Sequence, residues 1–471
     1  MTRHEPFPKG SELMSPPRTL RGWLDRLAAT DRLCITRPGV GLVHDLAAIA
    51  KHLDGTKATF FPHPDGHRGS VVSGLVSDRG WMAEGLGVSQ SELVGHFQNA
   101  AANPMPWQEV SQAPAQEVVH TENIDLLKLL PVPTHNEYDS GPYIAAGLTV
   151  ARDPDTGLQN VAIHRCQVSG PDRIGILLLP RHTDHFFRKA EAKGESLAVA
   201  IAIGVDPATL LASQAIVPVG HDELEIAGAL RGAPLTVVRC RTNEVRVPAD
   251  AEIVIEGHLI PGAREPEGPF GEFPQYYGER ADRHVVQVDA VTHRKSPIFH
   301  TIVGGGLEHL LLGAIPREAT ILATLQRSFP GVQDVHLSLG GVGRYHLYIK
   351  LKKTQHGEGK NVLLGAFAAH YDIKYAVVVD PDVDIHNVQE VEWALSTRFQ
   401  ADRDTVIIAN SQCSKLDPST EDGVGAKMGL DATIPLGAPE MKYKRIRVPG
   451  EERVDLAKVL APGSDWRAAL A

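Results

Sequence analysis

The sequence predicts an α+β fold: a strand-rich middle, one long helix, and a smaller α/β unit behind it. Three observations carry this. Between residues 115 and 306, short apolar segments of strand character alternate with turn signals such as Asp153-Pro154-Asp155-Thr156-Gly157 and Ser169-Gly170-Pro171. After Gly304-Gly305-Gly306, a helical pattern runs unbroken over 307–327. Beyond it, strand and helix patterns alternate.

The elements follow in order. Leu20, Trp23, Leu24 and Leu27 fall at helical spacing behind Pro16-Pro17. Leu46, Ile49, Ala50 and Leu53 repeat the pattern, and Gly55 stands where a glycine ends a helix. Ser89-Gln90-Ser91-Glu92 reads as a capping box opening another helix. Segments 58–61 and 70–74 read as strands, so residues 1–114 are expected to form a mixed α/β layer. Strands are expected at 144–152, 160–168, 173–179, 196–204, 234–240, 252–259 and 285–293. Helices near 183–193 and 222–231 interrupt them. Short strands at this spacing predict a barrel or sandwich over 115–306. After the 307–327 helix, the unit 328–471 should hold strands at 334–339, 345–351, 375–379 and 405–408. Its helices are expected at 360–370 and 388–398. From Asp417 the chain is rich in Gly and Pro and is expected to be irregular.

Composition excludes several classes. With 42% hydrophobic and 22% charged residues, the chain is neither disordered nor low-complexity. The 47 basic and 57 acidic residues leave a charge of −10, so no nucleic-acid or membrane partner is expected. No apolar run reaches about 18 residues, and the N-terminal stretch lacks a signal-peptide core. Cys34, Cys166, Cys240 and Cys413 form no CxxC pair, which fits a reducing, cytoplasmic location. P-loop, GxSxG and HExxH motifs are absent.

Four segments could carry chemistry. In Glu267-Gly268-Pro269-Phe270-Gly271-Glu272, glycine and proline fix a tight path that holds two carboxylates on one rigid loop. Such a loop can keep one acid charged and the other proton-loaded. A solvated acidic turn would look the same. In Asn160-Val161-Ala162-Ile163-His164-Arg165, strand alternation places Asn160, Ala162 and His164 on one face and Val161, Ile163 and Arg165 on the other. Arg165 then needs a partner, and the acidic loop is a natural one; an edge-strand arginine in solvent is the alternative. Arg181-His182-Thr183-Asp184-His185 leaves an apolar strand and opens a helix, a good place for phosphate contacts. Glu223 begins the apolar turn Leu224 to Gly232, where an acid is favourable in any case.

Taken together, these segments resemble the UbiD family of reversible decarboxylases, which use prenylated flavin mononucleotide (FMN). The resemblance covers about residues 115–435, and the acidic loop is its most specific part. It implies a split-β-barrel flavin-binding domain (115–306) against which the 1–114 layer packs. It further implies a connecting helix (307–327) and a smaller α/β oligomerisation domain with its tail (328–471). Arg165, Glu267 and Glu272 match the family's catalytic constellation, with Glu272 as proton donor. Asn160, His182 and Glu223 match the ligands of a divalent metal, usually Mn2+, that bridges protein to cofactor phosphate. Ala212, Ser213 and Ala215, with Glu223, lie where the family binds K+ or Na+. Asn160, Val161, Ala162, Ile163, His164 and Arg165, together with Arg181, His182 and Glu223, would line the cofactor. Asp431-Ala432-Thr433 with Lys427 resembles a C-terminal signature.

The resemblance implies a non-oxidative decarboxylase of an aromatic or heteroaromatic acid, of indole, pyrrole, furan or hydroxybenzoate type, that releases CO2. It also implies a flavin prenyltransferase as cofactor supplier and a homodimer or larger assembly. The segment His300 to His309 is expected either to border the substrate pocket or to be only a helix-entry loop. The alternatives are an acrylic acid decarboxylase of cinnamate type, a flavin-free metal hydrolase, and a silent homologue that only assembles. Intact Arg165, Glu267 and Glu272 argue against the last.

Overall fold

The computed structural model describes residues 15–460 and 463. Helix α1 (Leu20–Ala29) buries Leu20, Trp23, Leu24 and Leu27, and Thr19 caps it by accepting from the Gly22 amide at 3.1 Å. Then come β1 (Leu33–Ile35), α2 (Asp45–His52), β2 (Ala58–Phe61), β3 (Ser70–Ser73), α3 (Arg79–Gly85) and α4 (Leu93–Ala102). The expected capping box forms only by half. The Glu92 carboxylate accepts from the Ser89 amide at 3.0 Å and also takes the Ser89 hydroxyl at 2.6 Å. That hydroxyl is no longer free to cap, and regular helix begins only at Leu93.

Two short strands, β4 (Gln108–Val110) and β5 (Val118–His120), and helix α5 (Leu126–Leu129) lead into the barrel. Its first strands are β6 (Tyr143–Ile144), β7 (Leu148–Arg152), β8 (Gln159–Ile163), β9 (Cys166–Gly170) and β10 (Arg173–Ile176). Next are α6 (His182–Glu191), β11 (Leu197–Ile203), α7 (Pro207–Ala212), α8 (Glu223–Leu230), β12 (Thr236–Arg239) and β13 (Arg246–Pro248). The long β14 (Ile253–Glu267) and β17 (Ala281–His293) flank the two-stranded hairpin of β15 (Phe270–Gly271) and β16 (Tyr277–Gly278). Strand β18 (Ile298–His300) and helix α9 (Leu307–Ser328) close this part.

The main sheet runs β6-β9-β10-β17-β14-β11-β7-β8, with β5 beside β17. Strand β8 ends this order on one side and β9 lies next to its other end, inside only the two-residue β6, yet only His164 and Arg165 separate β8 from β9 in sequence. So short a link spans on the order of 10 Å. The sheet must therefore curl until its ends meet, and no ladder joins them among the described residues. This is the expected split barrel, with Arg165 on its seam. The alternation expected over 160–168 accordingly stops at Ile163, because the chain changes ends of the sheet there. His164 and Arg165 do not continue the two faces read from the sequence. Ile174, Ile176, Ile201, Ile203, Ile253 and Ile255 fill one side of the curled sheet.

The first sheet runs β1-β2-β3-β18, so a strand from beyond the barrel completes the N-terminal layer, parallel to β3. Behind α9 lie β19 (Val332–Leu337), β20 (His346–Leu351), α10 (Glu358–Ala369), β21 (Tyr375–Val379), α11 (Val388–Arg398), α12 (Ala401–Asp404), β22 (Thr405–Gln412) and β23 (Val424–Ala432). Their sheet order is β19-β20-β21-β23-β22. The expectation of an irregular chain from Asp417 is overturned by β23, an interior strand parallel to β21 and antiparallel to β22. Gly425, Ala426 and Gly429 are poor strand formers; the two neighbouring ladders, not propensity, hold this segment extended. All four cysteines are free, and Cys166, Cys240 and Cys413 are buried. Among the described residues no helix is long and apolar enough to cross a membrane.

Candidate active site

Arg165 on the seam reaches both acids of the loop. Its Nη2 donates to Glu267 Oε2 at 2.8 Å and its Nη1 to Glu272 Oε1 at 2.6 Å. The loop is shaped to allow this. Glu267 ends β14, Gly268 adopts φ 88°, the Gly268–Pro269 peptide is cis, and β15 pairs back on β16. At that φ only glycine is unstrained. Gly278 on β16 faces the pair so closely that a Cβ there would run into the Arg165 guanidinium. Phe270 packs under that guanidinium, 5.9 Å from its ring centroid.

The two acids have different surroundings. Glu267 is fully buried, and its Oε1 accepts from the Tyr143 hydroxyl at 2.9 Å. Tyr143 is bonded in turn to Ser140 at 3.0 Å. Glu267 is thus fixed from two sides. Glu272 uses only Oε1 on Arg165, and burial raises its pKa against the opposing pull of Arg165, with Glu267 and Asp139 adding to the rise. Burial works against the Arg165 charge, but the two carboxylates outweigh it and hold the guanidinium above its ordinary pKa. The arrangement holds Glu267 in place from two sides and leaves Glu272 one oxygen free of hydrogen bonds, where an acid can exchange a proton. Asp139 accepts from the Asn136 and Gly271 amides, each at 2.8 Å, and so clamps the loop.

A second cluster sits at the other end of β8. Asn160 Nδ2 donates to Glu223 Oε1 at 2.9 Å, and the Val161 amide donates to Glu223 Oε2 at 2.7 Å. Asn160 Oδ1 accepts from the Thr183 hydroxyl at 2.8 Å. Glu223 is the first residue of α8, and its carboxyl is pushed up to about 8 by burial. No cation faces it closely among its hydrogen-bond partners. His182 is the first residue of α6, next to Thr183; it is half-buried, and burial lowers its pKa, helped by Arg181, His185 and His221. An amide oxygen, a buried carboxylate with no counter-charge and a neutral imidazole form a donor set that suits a divalent metal. Among the described residues no group of three His, Cys, Asp or Glu side chains is placed to hold a metal by itself.

Ala212 ends α7, which packs on α8, and Ser213 and Ala215 follow on the turn. The Ser213 hydroxyl donates to the Leu210 carbonyl at 2.7 Å, and the Ala215 amide donates to the Ala212 carbonyl at 2.9 Å. Along the strand between the clusters, Ala162 and Ile163 are half-buried. His164 Nδ1 bonds the Leu177 carbonyl at 3.1 Å, while His164 Nε2 and Arg165 Nε are buried without a partner. Because His164 Nδ1 donates to a carbonyl, Nε2 is an orphaned acceptor and Arg165 Nε an orphaned donor, a pair that fits a bound polar ring system. Arg181 reaches across to the Tyr371 hydroxyl at 3.3 Å. His300 is fully buried on β18, with Nε2 3.2 Å from Glu308 Oε1, and is not on a loop.

Sequence reasoning missed Tyr143, Asn136, Asp139, Thr183 and Gly278. Thr183 lies inside the Arg181–His185 segment but was given no role there; the other four stand in none of the four segments, and their contacts with Glu267, the loop and Arg165 are made across the fold.

Comparison with known proteins bears on this geometry. Three family models match: the 3-octaprenyl-4-hydroxybenzoate carboxy-lyase N-terminal domain at residues 24–101, its Rift-related domain at 108–307 and its C-terminal domain at 310–432. The solved UbiD-class enzyme HmfF from Pelotomaculum thermopropionicum, in complex with FMN, superimposes with a TM-score of 0.92 at 50% identity, covering 94% of this chain and 100% of that one. An apo 3,4-dihydroxybenzoic acid decarboxylase from Enterobacter cloacae gives a TM-score of 0.88 at 32% identity, covering 97% and 100%. The anhydromevalonate phosphate decarboxylase of Methanothermobacter thermautotrophicus is 39% identical over 80% of this chain and 88% of its own.

Proposed function

Since the chain belongs to the UbiD family of carboxy-lyases, we propose that it decarboxylates an aromatic or heteroaromatic acid with prenylated FMN, using Glu272 as proton donor. One observation carries this reading: Arg165 binds Glu267 and Glu272 together at the seam of the barrel. FMN in HmfF and the ring acid named for the Enterobacter enzyme support it.

In this proposal the strand Asn160, Val161, Ala162, Ile163, His164 and Arg165 lines the cofactor, with Arg181 beside it. Asn160, His182 and Glu223 hold Mn2+ against the cofactor phosphate. Carbonyls of Ala212, Ser213 and Ala215, with Glu223, hold K+ or Na+. When bound, prenylated FMN supplies an electrophile that takes up the electron pair left as CO2 departs. The protein supplies the rest. Arg165 and Glu267 form a fixed ion pair that sets the position of Glu272. Burial keeps the Glu272 carboxyl protonated to higher pH than a solvated acid. It gives that proton to the ring carbon and regains one from water. The enzyme works in the cytoplasm as a homodimer or larger assembly, and a flavin prenyltransferase supplies its cofactor.

The test is protein co-expressed with a flavin prenyltransferase, read by absorbance and by mass spectrometry of the released flavin. A prenylated flavin and turnover of a ring acid are expected; Glu272→Gln should keep the flavin and lose turnover by about 100-fold or more. Normal turnover by that variant would remove Glu272 from its role. The methanogen relative favours a second reading, an unsaturated acid carrying a phosphate ester, and such an acid belongs in the same screen. A colourless protein with stoichiometric metal would instead favour the hydrolase.

A further inference from the structure

Away from both clusters, two imidazoles meet where β5 lies against the end of β17. The two strands pair antiparallel, with His120 opposite Val291 and His293 opposite Val118. His120 and His293 are therefore diagonal neighbours on one face of the ladder, close enough for their side chains to meet. Their rings lie 21° from parallel, and their Nε2 atoms are 3.1 Å apart. His293 Nδ1 lies 2.6 Å from the Arg294 carbonyl. A carbonyl only accepts, so the His293 proton sits on Nδ1 and its Nε2 turns a lone pair toward His120. Both residues are half-buried. His120 Nδ1 is not sealed from water, and a proton held there leaves the Nε2 lone pair of His120 free as well. Burial, and then His293, lower the His120 pKa below the ordinary 6.5, which favours the uncharged ring.

Two facing ring nitrogens need something between them, a proton or a metal ion. The spacing suits an ion. Two imidazole nitrogens bound to one ion at about 2.0–2.1 Å stand roughly 2.9 Å apart at a right angle and roughly 3.3 Å apart at the tetrahedral angle. The 3.1 Å between His120 and His293 lies within that range. A carbonyl on the other ring nitrogen, as on His293, is the contact that orients a ligating imidazole and raises its basicity. We infer that His120 and His293 form a metal site, separate from the Asn160 cluster, that takes Zn2+, Ni2+ or Cu2+ through the two Nε2 atoms. Imidazole suits these ions, whereas Mn2+ prefers oxygen. Among the described residues no third His, Cys, Asp or Glu completes the set, so water fills the remaining positions. Glu117, three residues before His120, already accepts from the Lys295 amide at 2.8 Å. Strand β5 has three residues and stands off the main order of the sheet. An ion bound here ties it to β17 and pins the segment that leads from the N-terminal layer into the barrel. This inference stands apart from the decarboxylase reading.

The test uses the full chain, freed of metal with EDTA and carrying no flavin. Calorimetry with Zn2+ should show a site that persists in Glu223→Gln and that His120→Asn weakens by about 100-fold or more. Cu2+ at that site should show two nitrogen ligands in its EPR spectrum, reduced to one in His120→Asn. Zn2+ should slow amide exchange over Val118–His120 in the wild type and leave it unchanged in His120→Asn. His120→Cys puts a thiolate in the same place and should bring Zn2+ binding back, which separates a lost ligand from misfolding. A wild-type chain that binds no Zn2+, or that loses all of it with Glu223→Gln, would overturn the site. So would a His120→Asn variant that binds Zn2+ as tightly as the wild type. In each of those cases the two rings share only a proton.

Discussion

Gly278 and Tyr143 show how closely the ion pair is fitted. Alanine at 278 would push its Cβ into the Arg165 guanidinium. Gly278→Ala should therefore cost about 100-fold in kcat while the melting temperature moves little, because the displaced group serves geometry more than packing. Tyr143 donates to the buried Glu267 carboxylate. Tyr143→Phe leaves that oxygen short of a donor, and urea unfolding should show a loss of about 1–3 kcal/mol. Glu223 sets a pH dependence. Its folded pKa of about 8 lies above the ordinary 4.5, so the folded state binds the extra proton. Without metal, its contribution to stability is full below 4.5 and is lost as pH rises to about 8. Melting of metal-free protein should fall through that window; added Mn2+ should restore it most at the alkaline end, where the proton no longer competes. A metal response that is flat with pH would count against Glu223 as a ligand.

Between elements, Glu318 is the tightest joint. It lies on α9 and is fully buried; it meets Arg79 of α3 at 2.5 Å, His336 of β19 at 3.0 Å and the Leu337 amide at 2.8 Å. Burial alone would raise its pKa, but Arg79 and His336 bring it down to about 2. Removing that charge strands Arg79, so Glu318→Gln should destabilise by about 3–5 kcal/mol at pH 7. A depressed acid contributes above its unfolded pKa and loses that contribution as pH falls through its folded one. The gap between wild type and variant in urea unfolding should therefore narrow from pH 4.5 down toward about 2. At this scale most helices and strands were legible, because α1 and β21 state their period plainly. Strand β23 was not, because its glycines and alanine carry no strand signal and the neighbouring ladders hold it.

For the whole molecule, the N-terminal sheet is completed by β18 from beyond the barrel. A fragment ending at residue 114 therefore lacks the strand that covers β3, and it should show no cooperative unfolding and poor amide dispersion by NMR. A folded, cooperative fragment would mean that the β3 edge needs no cover. The barrel seam has the same character: β8 and β9 are neighbours in sequence, yet β8 is one edge of the sheet and β9 lies next to the other. Closing that gap carries Arg165 to Glu267 and Glu272, about a hundred residues later in the chain.

The residues of the acidic loop, the strand leading to Arg165 and the Glu223 turn are local patterns, so the sequence by itself determined them and the fold class. Glycine, proline and apolar period act on near neighbours, and their effects are visible without a fold. Tertiary structure alone decided which acid is fixed by Tyr143 and which is left with a free oxygen. It likewise brought Arg344 from the C-terminal unit over the ring of Phe273, next to Glu272. Burial and the meeting of distant charges set those properties, and neither has a value until the chain has closed around them.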